Sequence, residues 1–171
     1  TGSGADASRP DITTAFVYTD TDPVGIVVWL KETGNNTLIF QGEATVAYEA
    51  FLKNHPEHPK VADVLFQLGL CHIYQMRDKD QDQTATRQAL MAFETMLQRF
   101  PEDRRKEEIQ AYIDRCLNQL AANEVVVAQY YLKAKQYHAA VNRLEGMFKK
   151  YPNYYDRAEA YYLLGQAHLL A

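Results

Sequence analysis

The sequence predicts an all-α chain of stacked helix pairs, preceded by a short β-prone segment, and three observations carry this. From Glu43 onward the apolar residues keep a 3.6-residue period. Three helices share one pattern: a small residue, a large apolar or aromatic one four residues on, an apolar one three further, and Pro after five more. These are Ala44, Tyr48, Phe51 and Pro56; Ala89, Phe93, Met96 and Pro101; and Ala140, Leu144, Met147 and Pro152. Lastly, Leu68-Gly69 with His72 and Leu164-Gly165 with His168 place their glycines 13 residues after Pro56 and Pro152.

Along the chain, residues 1–40 and 41–171 read as two different kinds of sequence. Thr1 to Ser8 has a flexible, Gly/Ser-rich composition, and the segment carries five acidic residues against Arg9 and Lys31. Ile12 to Thr19 and Gly25 to Leu30 are rich in β-branched and aromatic residues. Asp20-Thr21-Asp22-Pro23 between them has a turn composition, which predicts a hairpin. The competing reading makes Val24 to Glu32 a helix packed on the first repeat and ended by Thr33-Gly34-Asn35-Asn36.

The first periodic stripe is Ala44, Ala47, Tyr48, Phe51 and Leu52, stopped by Pro56; Leu65, Leu68, Gly69 and His72 mark a second helix ending near Met76. Ala89, Leu90, Phe93, Met96, Leu97 and Phe100 form the next stripe, closed by Pro101. Ile109, Tyr112, Ile113, Cys116, Leu117 and Leu120 follow, then the apolar run from Val125 to Leu132. Ala140, Leu144, Met147, Phe148 and Tyr151 precede Pro152, and a last helix runs through Leu164 and Gly165. The period breaks only near Pro56, Gln81, Pro101, Lys135 and Pro152, where turns are expected.

With 47% hydrophobic residues in 171, the chain has enough apolar surface for a core. The net charge is −4, and the basic triplet Arg104-Arg105-Lys106 is flanked by acids on both sides, which argues against a nucleic-acid partner. Apolar runs such as Gly25 to Leu30 are six residues, against the roughly 20 that span a bilayer. There is no signal-peptide pattern and no N-terminal lipidation Cys, so the expectation is a cytosolic chain or a fragment from which an export signal was removed. Cys71 and Cys116 sit among apolar residues at helical spacing and read as core residues, since no CxxC or zinc spacing is present.

The small-residue, proline-stopped pattern and the Leu-Gly helices agree with the second and first helices of a tetratricopeptide repeat, which predicts a helical solenoid over residues 41–171. Such helix pairs stack, and the first helix of each pair lines an inner wall that holds segments of partner proteins. Projected onto this sequence, that wall takes Phe66, Leu70, Tyr74, Gln129, Lys133, Tyr162 and Gln166. For each residue alone, packing between repeats or plain exposure is the alternative.

Three stretches carry a more specific resemblance. Asn54-His55-Pro56-Glu57-His58-Pro59 leads to Ala62 and Phe66-Gln67-Leu68-Gly69. Asp80-Gln81-Asp82-Gln83-Thr84 leads to Arg87, Ala89 and Phe93. Val127-Ala128-Gln129-Tyr130-Tyr131 is followed by Tyr137, Val141-Asn142-Arg143-Leu144-Glu145-Gly146-Met147 and Tyr151-Pro152. Together they resemble the BamD family of outer-membrane-protein assembly lipoproteins over roughly residues 43–170, while residues 1–40 match nothing in it.

The resemblance implies a non-catalytic scaffold at the periplasmic face of the bacterial outer membrane. Its expected partners are a BamA-like POTRA domain and unfolded outer-membrane protein segments, with membrane contact only through a lipid anchor absent from this chain. In such proteins the N-terminal repeats are associated with substrate signals and the C-terminal half with the barrel partner. It also raises Asn142 and Arg143 as partner-facing residues. Helical projection puts Arg143 at the edge of the packed face, where its stem lies on apolar surface and its guanidinium reaches outward to a partner carboxylate. A pair with Glu145 or with an acid on the neighbouring helix is the intramolecular alternative.

No constellation of residues predicts catalysis, a cofactor or a metal. Asp78 to Asp82 begins like a calcium loop, but Gln83 stands where the loop needs Gly and Ala89 where it needs a bidentate Glu. His55 and His58 each sit close to a proline turn with no third ligand in the spacing. The sequence carries no nucleophile elbow, zincin, phosphate-loop or dinucleotide motif. His72 and His168 fall at expected packed helix positions. Two other readings stand beside the scaffold: a generic tetratricopeptide adaptor or co-chaperone of the envelope or cytosol, and an enzyme fragment with residues 1–40 as the remnant of a catalytic domain.

Overall fold

A computed structural model describes the backbone of residues 12–19, 22–32 and 40–42, and residues 44–171 in full. The flexible opening expected for Thr1 to Ser8, the Asp20-Thr21 half of the expected turn, and the helix stop at Thr33 to Asn36 lie outside the described residues. The chain separates into two compact units, Thr1–His72 and Ile73–Ala171.

In the first unit β1 (Ile12–Thr19) pairs antiparallel with β2 (Asp22–Glu32), from Ile12 opposite Lys31 to Thr19 opposite Asp22. The segment from Val24 to Glu32 is therefore strand, and the helical alternative for it does not hold: its β-branched run fits a pleated ladder better than a helix. A third strand that the sequence reading lacked, β3 (Phe40–Gly42), pairs with β2 to give the order β1-β2-β3. Next come α1 (Ala44–Asn54) and α2 (Val61–Gln75). Ala47 and Phe51 are the buried pair of α1, four residues apart on one face. His55 before Pro56 ends the helix, and both His55 and His58 pack their rings on Phe51 with centroids 5.3 Å away. His58 Nδ1 accepts from the Lys60 amide at 3.1 Å, so the pair serves the turn.

The second unit holds the end of α2 and α3 (Thr84–Arg99), α4 (Lys106–Lys133), α5 (Tyr137–Lys150) and α6 (Arg157–Leu170). Among the described residues from 44 to 170 every regular element is a helix, broken at the five expected places. This is the all-α, tetratricopeptide-type arrangement. Consecutive helices α3 to α6 are packing neighbours, and α4 also touches α6, as first helices of successive repeats do. The stripe from Ile109 and the run from Val125 belong to one 28-residue helix, because nothing between them breaks the period. Its second half forms a core with α5 and α6 through Leu120, Val125, Ala128, Leu144, Met147 and Leu163. In the first half Phe93 stacks on Tyr112 at 5.1 Å and 7° between planes.

Polar side chains organise the turns. Gln83, almost fully buried, donates to the carbonyls of Asp78 at 2.8 Å and Gln81 at 3.0 Å and accepts from Thr86 Oγ1 at 2.9 Å. The acid-rich loop is thus built around an amide. Asp82 accepts from the Thr84 amide and hydroxyl at the start of α3. From α4, Gln119 donates to the Arg77 carbonyl, Asn123 to the Lys79 carbonyl, and Asn118 accepts from the Tyr155 amide. Arg105 grips Asp103 bidentately at 2.9 Å through Nε and Nη2.

Helix α4 ends in a paired-bond cap: Gln136 N donates to Tyr131 O and Lys135 N to Leu132 O. The residue that turns the chain is Lys135, at φ 59, a left-handed conformation that costs a side-chain-bearing residue about 1–2 kcal/mol. Glycine is the usual occupant.

Cys116 is wholly buried and Cys71 half-buried, both as free thiols. Burial pushes both upward, Cys116 to about 11, so neither is a thiolate at neutral pH. His72 is buried as expected. His168 is not: its side chain is 56% exposed, 3.8 Å from Glu145, because the face of α6 that carries it is open.

Two outcomes test this packing. Ala89 and Ala140 are fully buried where helices meet, so Ala89→Leu and Ala140→Leu should each lower the unfolding free energy by about 1–3 kcal/mol in urea titrations. The exposed control Gln98→Ala should stay within about 0.5 kcal/mol. The Arg105 side-chain hydrogen bond holds the Asp103 carboxyl at about 2 against its ordinary 3.8. Its stabilising contribution is therefore complete above that ordinary value and lost as pH falls through the folded one. Asp103→Asn should lower the neutral-pH melting temperature slightly and flatten its fall between pH 3.8 and about 2.

Candidate functional site

Two candidate surfaces lie in the second unit, one along α5 and one at the α4–α5 turn. Ala140, Val141, Leu144 and Met147 turn inward, which leaves Asn142, Arg143, Gly146 and Lys150 on the outer side at helical spacing. With Glu124 and Tyr131 of α4 they line a cleft of about 490 Å³. Arg143 Nη1 lies 3.0 Å from Glu124 Oε2, with the two side chains 42% and 23% exposed. The intramolecular partner is thus an acid on the neighbouring helix; Glu145 instead faces His168. Outside its own helix backbone, no atom of the described residues comes within 4 Å of where a Cβ on Gly146 would stand, so none of them requires glycine there.

The second cleft, of about 500 Å³, opens beside the α4–α5 turn. Leu132, Tyr137, Leu163 and Leu170 give it an apolar lining, Gln129 and Gln166 its amides, and Lys133 and Lys135 its cations. Gln129 donates to Glu159 of α6 at 2.9 Å, tying the first helices of two successive repeats together. Lys133 and Lys135 enter no ion pair among the described residues.

Of the inner-wall residues expected from the repeat, Gln129, Lys133 and Gln166 come together at this cleft. Tyr162 is on α6 and 71% exposed, outside the cleft lining. Tyr74 is 60% exposed in the second unit. In the first unit Phe66 is buried and Leu70 half-buried. Residues the sequence reading passed over are Glu124, Gly146 and Lys150 at the first cleft and Lys135, Tyr137 and Leu170 at the second. The spacing Asn142-Gly146-Lys150, two steps of four, was a usable signal for the first set. The turn near Lys135 is expected from the lapse in the apolar period, but nothing in Ala134-Lys135-Gln136 announces the left-handed backbone that brings Lys135 to the second.

The α5–α6 connection is held by Arg157, which donates to the Pro152 carbonyl and the Tyr161 hydroxyl and lies 5.3 Å from the Phe148 ring. Phe148 stacks on Tyr161 at 4.2 Å. Among the described residues no group of three His, Cys, Asp or Glu comes together as a metal site, and no helix is long and apolar enough to cross a membrane.

A family model described as YfiO, outer membrane lipoprotein, matches residues 41–170. Curated relatives are each named outer membrane protein assembly factor BamD. That of Caulobacter vibrioides is 29% identical over 127 residues, 74% of this chain and 42% of the relative. That of Neisseria meningitidis serogroup A is 31% identical over 121 residues, 65% of this chain and 45% of the relative. That of Rickettsia prowazekii is 27% identical over 128 residues, 75% of this chain and 51% of the relative. The chain spans about half the length of the curated relatives it matches.

Proposed function

The chain belongs to the YfiO family of outer membrane lipoproteins, and on that footing we propose that it is a non-catalytic scaffold for assembling outer-membrane β-barrel proteins. The observation that carries this reading is the family match over 41–170, the stretch that folds as helical repeats. We take 41–171 as the repeat domain and place its work at the periplasmic face of the outer membrane. Its partners are a BamA-like POTRA domain and segments of unfolded outer-membrane proteins.

The POTRA domain is assigned to the α5 edge at Asn142 and Arg143. Two features support this. Arg143 keeps 42% of its side chain open while paired to Glu124, so its remaining donors stay within reach of a second carboxylate. Gly146, one turn on, leaves room for a partner backbone to come close. In the second unit the inner-wall residues Tyr74, Gln129, Lys133, Tyr162 and Gln166 are assigned to substrate segments; in the first unit half-buried Leu70 is a separate candidate, and buried Phe66 serves packing.

Arg143→Glu should weaken binding of the purified POTRA domains of the barrel partner by ten-fold or more, on the order of 1.4 kcal/mol, read by calorimetry. The melting temperature should shift little, since a half-exposed pair contributes about 0.2–1 kcal/mol. The double variant Arg143→Glu with Glu124→Arg restores the intramolecular pair with reversed sense. If it also restores POTRA binding, Arg143 acts through its helix pair and the assignment fails.

A further inference from the structure

We propose that the cleft at the α4–α5 turn docks an acidic amphipathic segment of a partner protein: a bulky apolar side chain seats against Tyr137, Leu163 and Leu170, and a neighbouring carboxylate is held between Lys133 and Lys135. The inference deepens the protein-binding reading of the inner wall and rests on it.

The shape of the site sets the first half of the occupant. A cleft of about 500 Å³ with four apolar side chains takes one large aliphatic or aromatic group.

Charge sets the second half. No carboxylate lines the cleft, and Glu159, the acid of α6 that reaches towards α4, is engaged by Gln129. Both lysines make no ion pair among the described residues. Tyr137, the first residue of α5, also lines the cleft, so the N-terminus of that helix lies at its edge. The Gln136 side chain makes no capping hydrogen bond there, which leaves amide donors and the positive end of the dipole open to an anion.

Lys135 adds an independent sign. The position has φ 59, which glycine adopts without steric cost. A lysine here strains the backbone, and its ammonium finds no counter-charge inside the described chain. A carboxylate from outside gives the side chain a partner that the fold does not.

The test uses the full-length protein and a synthetic helical peptide bearing one Phe flanked by Glu residues, with controls in which the Glu are Gln or the Phe is Ala. The Glu peptide should bind, shifting the methyl resonances of Leu132, Leu163 and Leu170. Each control should bind at least about five-fold more weakly, and added salt should narrow the Glu–Gln difference. Lys133→Glu and Lys135→Glu should each weaken the Glu peptide about five-fold or more. Lys135→Gly relieves the backbone, so it should raise the melting temperature while still weakening the peptide; it carries the test if the Glu variants fold poorly. Equal affinity for the Glu and Gln peptides, unchanged binding by the lysine variants, or shifts confined to other residues overturns the proposal. So does a photo-crosslinker at Tyr137 that captures only the protein's own chain. POTRA-domain binding is measured on the same samples: no Glu-peptide binding by the unsubstituted protein while its POTRA binding is kept sinks this inference alone.

Discussion

Close approach of helices at buried alanines is the constraint on which the second unit depends. Ala89 and Ala92 of α3, Ala121, Ala122 and Ala128 of α4, Ala140 of α5, and Ala160 and Ala167 of α6 are all buried, at 6% exposure or less. A methyl group at a crossing sets a short interaxial distance, and the large side chains one turn away then fill the space that remains. Phe93 and Met96 follow Ala89 at four and seven residues, and Leu144 and Met147 follow Ala140 in the same way. Every one of these four is buried. The repeat visible in the sequence is therefore a rule about volume: small where axes meet, large beside it, proline where the helix must stop.

The long helix α4 turns that packing into a rigid support. Its apolar side belongs to the core with α5 and α6, while Asn118 and Gln119, and Asn123 one turn on, bind the backbone of connections on either side. Each of these amides satisfies a backbone group that a loop would otherwise leave to water. One helix thus positions the turn before α3 and the turn before α6. The clefts along α5 inherit their shape from elements pinned to a common spine, with Arg157 locking the end of α5 to the start of α6. Partner recognition on such a frame needs little reordering, and that lowers the entropic cost of binding.

What the sequence disclosed follows from the same physics. Helix positions and turns were legible because a 3.6 period and three prolines are local signals, and Lys135 was marked as a break because the apolar stripe lapses there. The left-handed backbone at Lys135 was not legible: left-handed turns are read from Gly or Asn, and here neither stands. Nor was the Arg143–Glu124 pair, since the two residues lie 19 apart and meet only once α4 and α5 are packed. His168 copies the sequence pattern of His72 yet stands open, because burial depends on what covers a helix face and a motif records only one side of the contact. Within the inner wall, projection grouped residues by helix face. It could not separate buried Phe66 from exposed Tyr162, for the same reason.

The cleft along α5 and the cleft at the α4–α5 turn differ in how a partner would be rewarded. At Arg143 the guanidinium already holds Glu124, so an incoming carboxylate shares or displaces an existing bond, and the net gain is the difference between two similar pairs. Such a contact discriminates: a partner without an acid at that point leaves Glu124 in place and gains nothing, and one with a misplaced acid meets the repulsion of Glu124. At Lys133 and Lys135 no ion pair among the described residues is surrendered, the cations stand beside apolar surface, and a carboxylate there would add to the burial of its neighbouring side chain. On the proposed function the first cleft would choose a partner by its charge geometry, and the second would gain affinity from a segment that pairs an acid with a hydrophobe. One runs along α5 and the other opens between α4 and α6 at the α4–α5 turn, so the two would work side by side in the second unit.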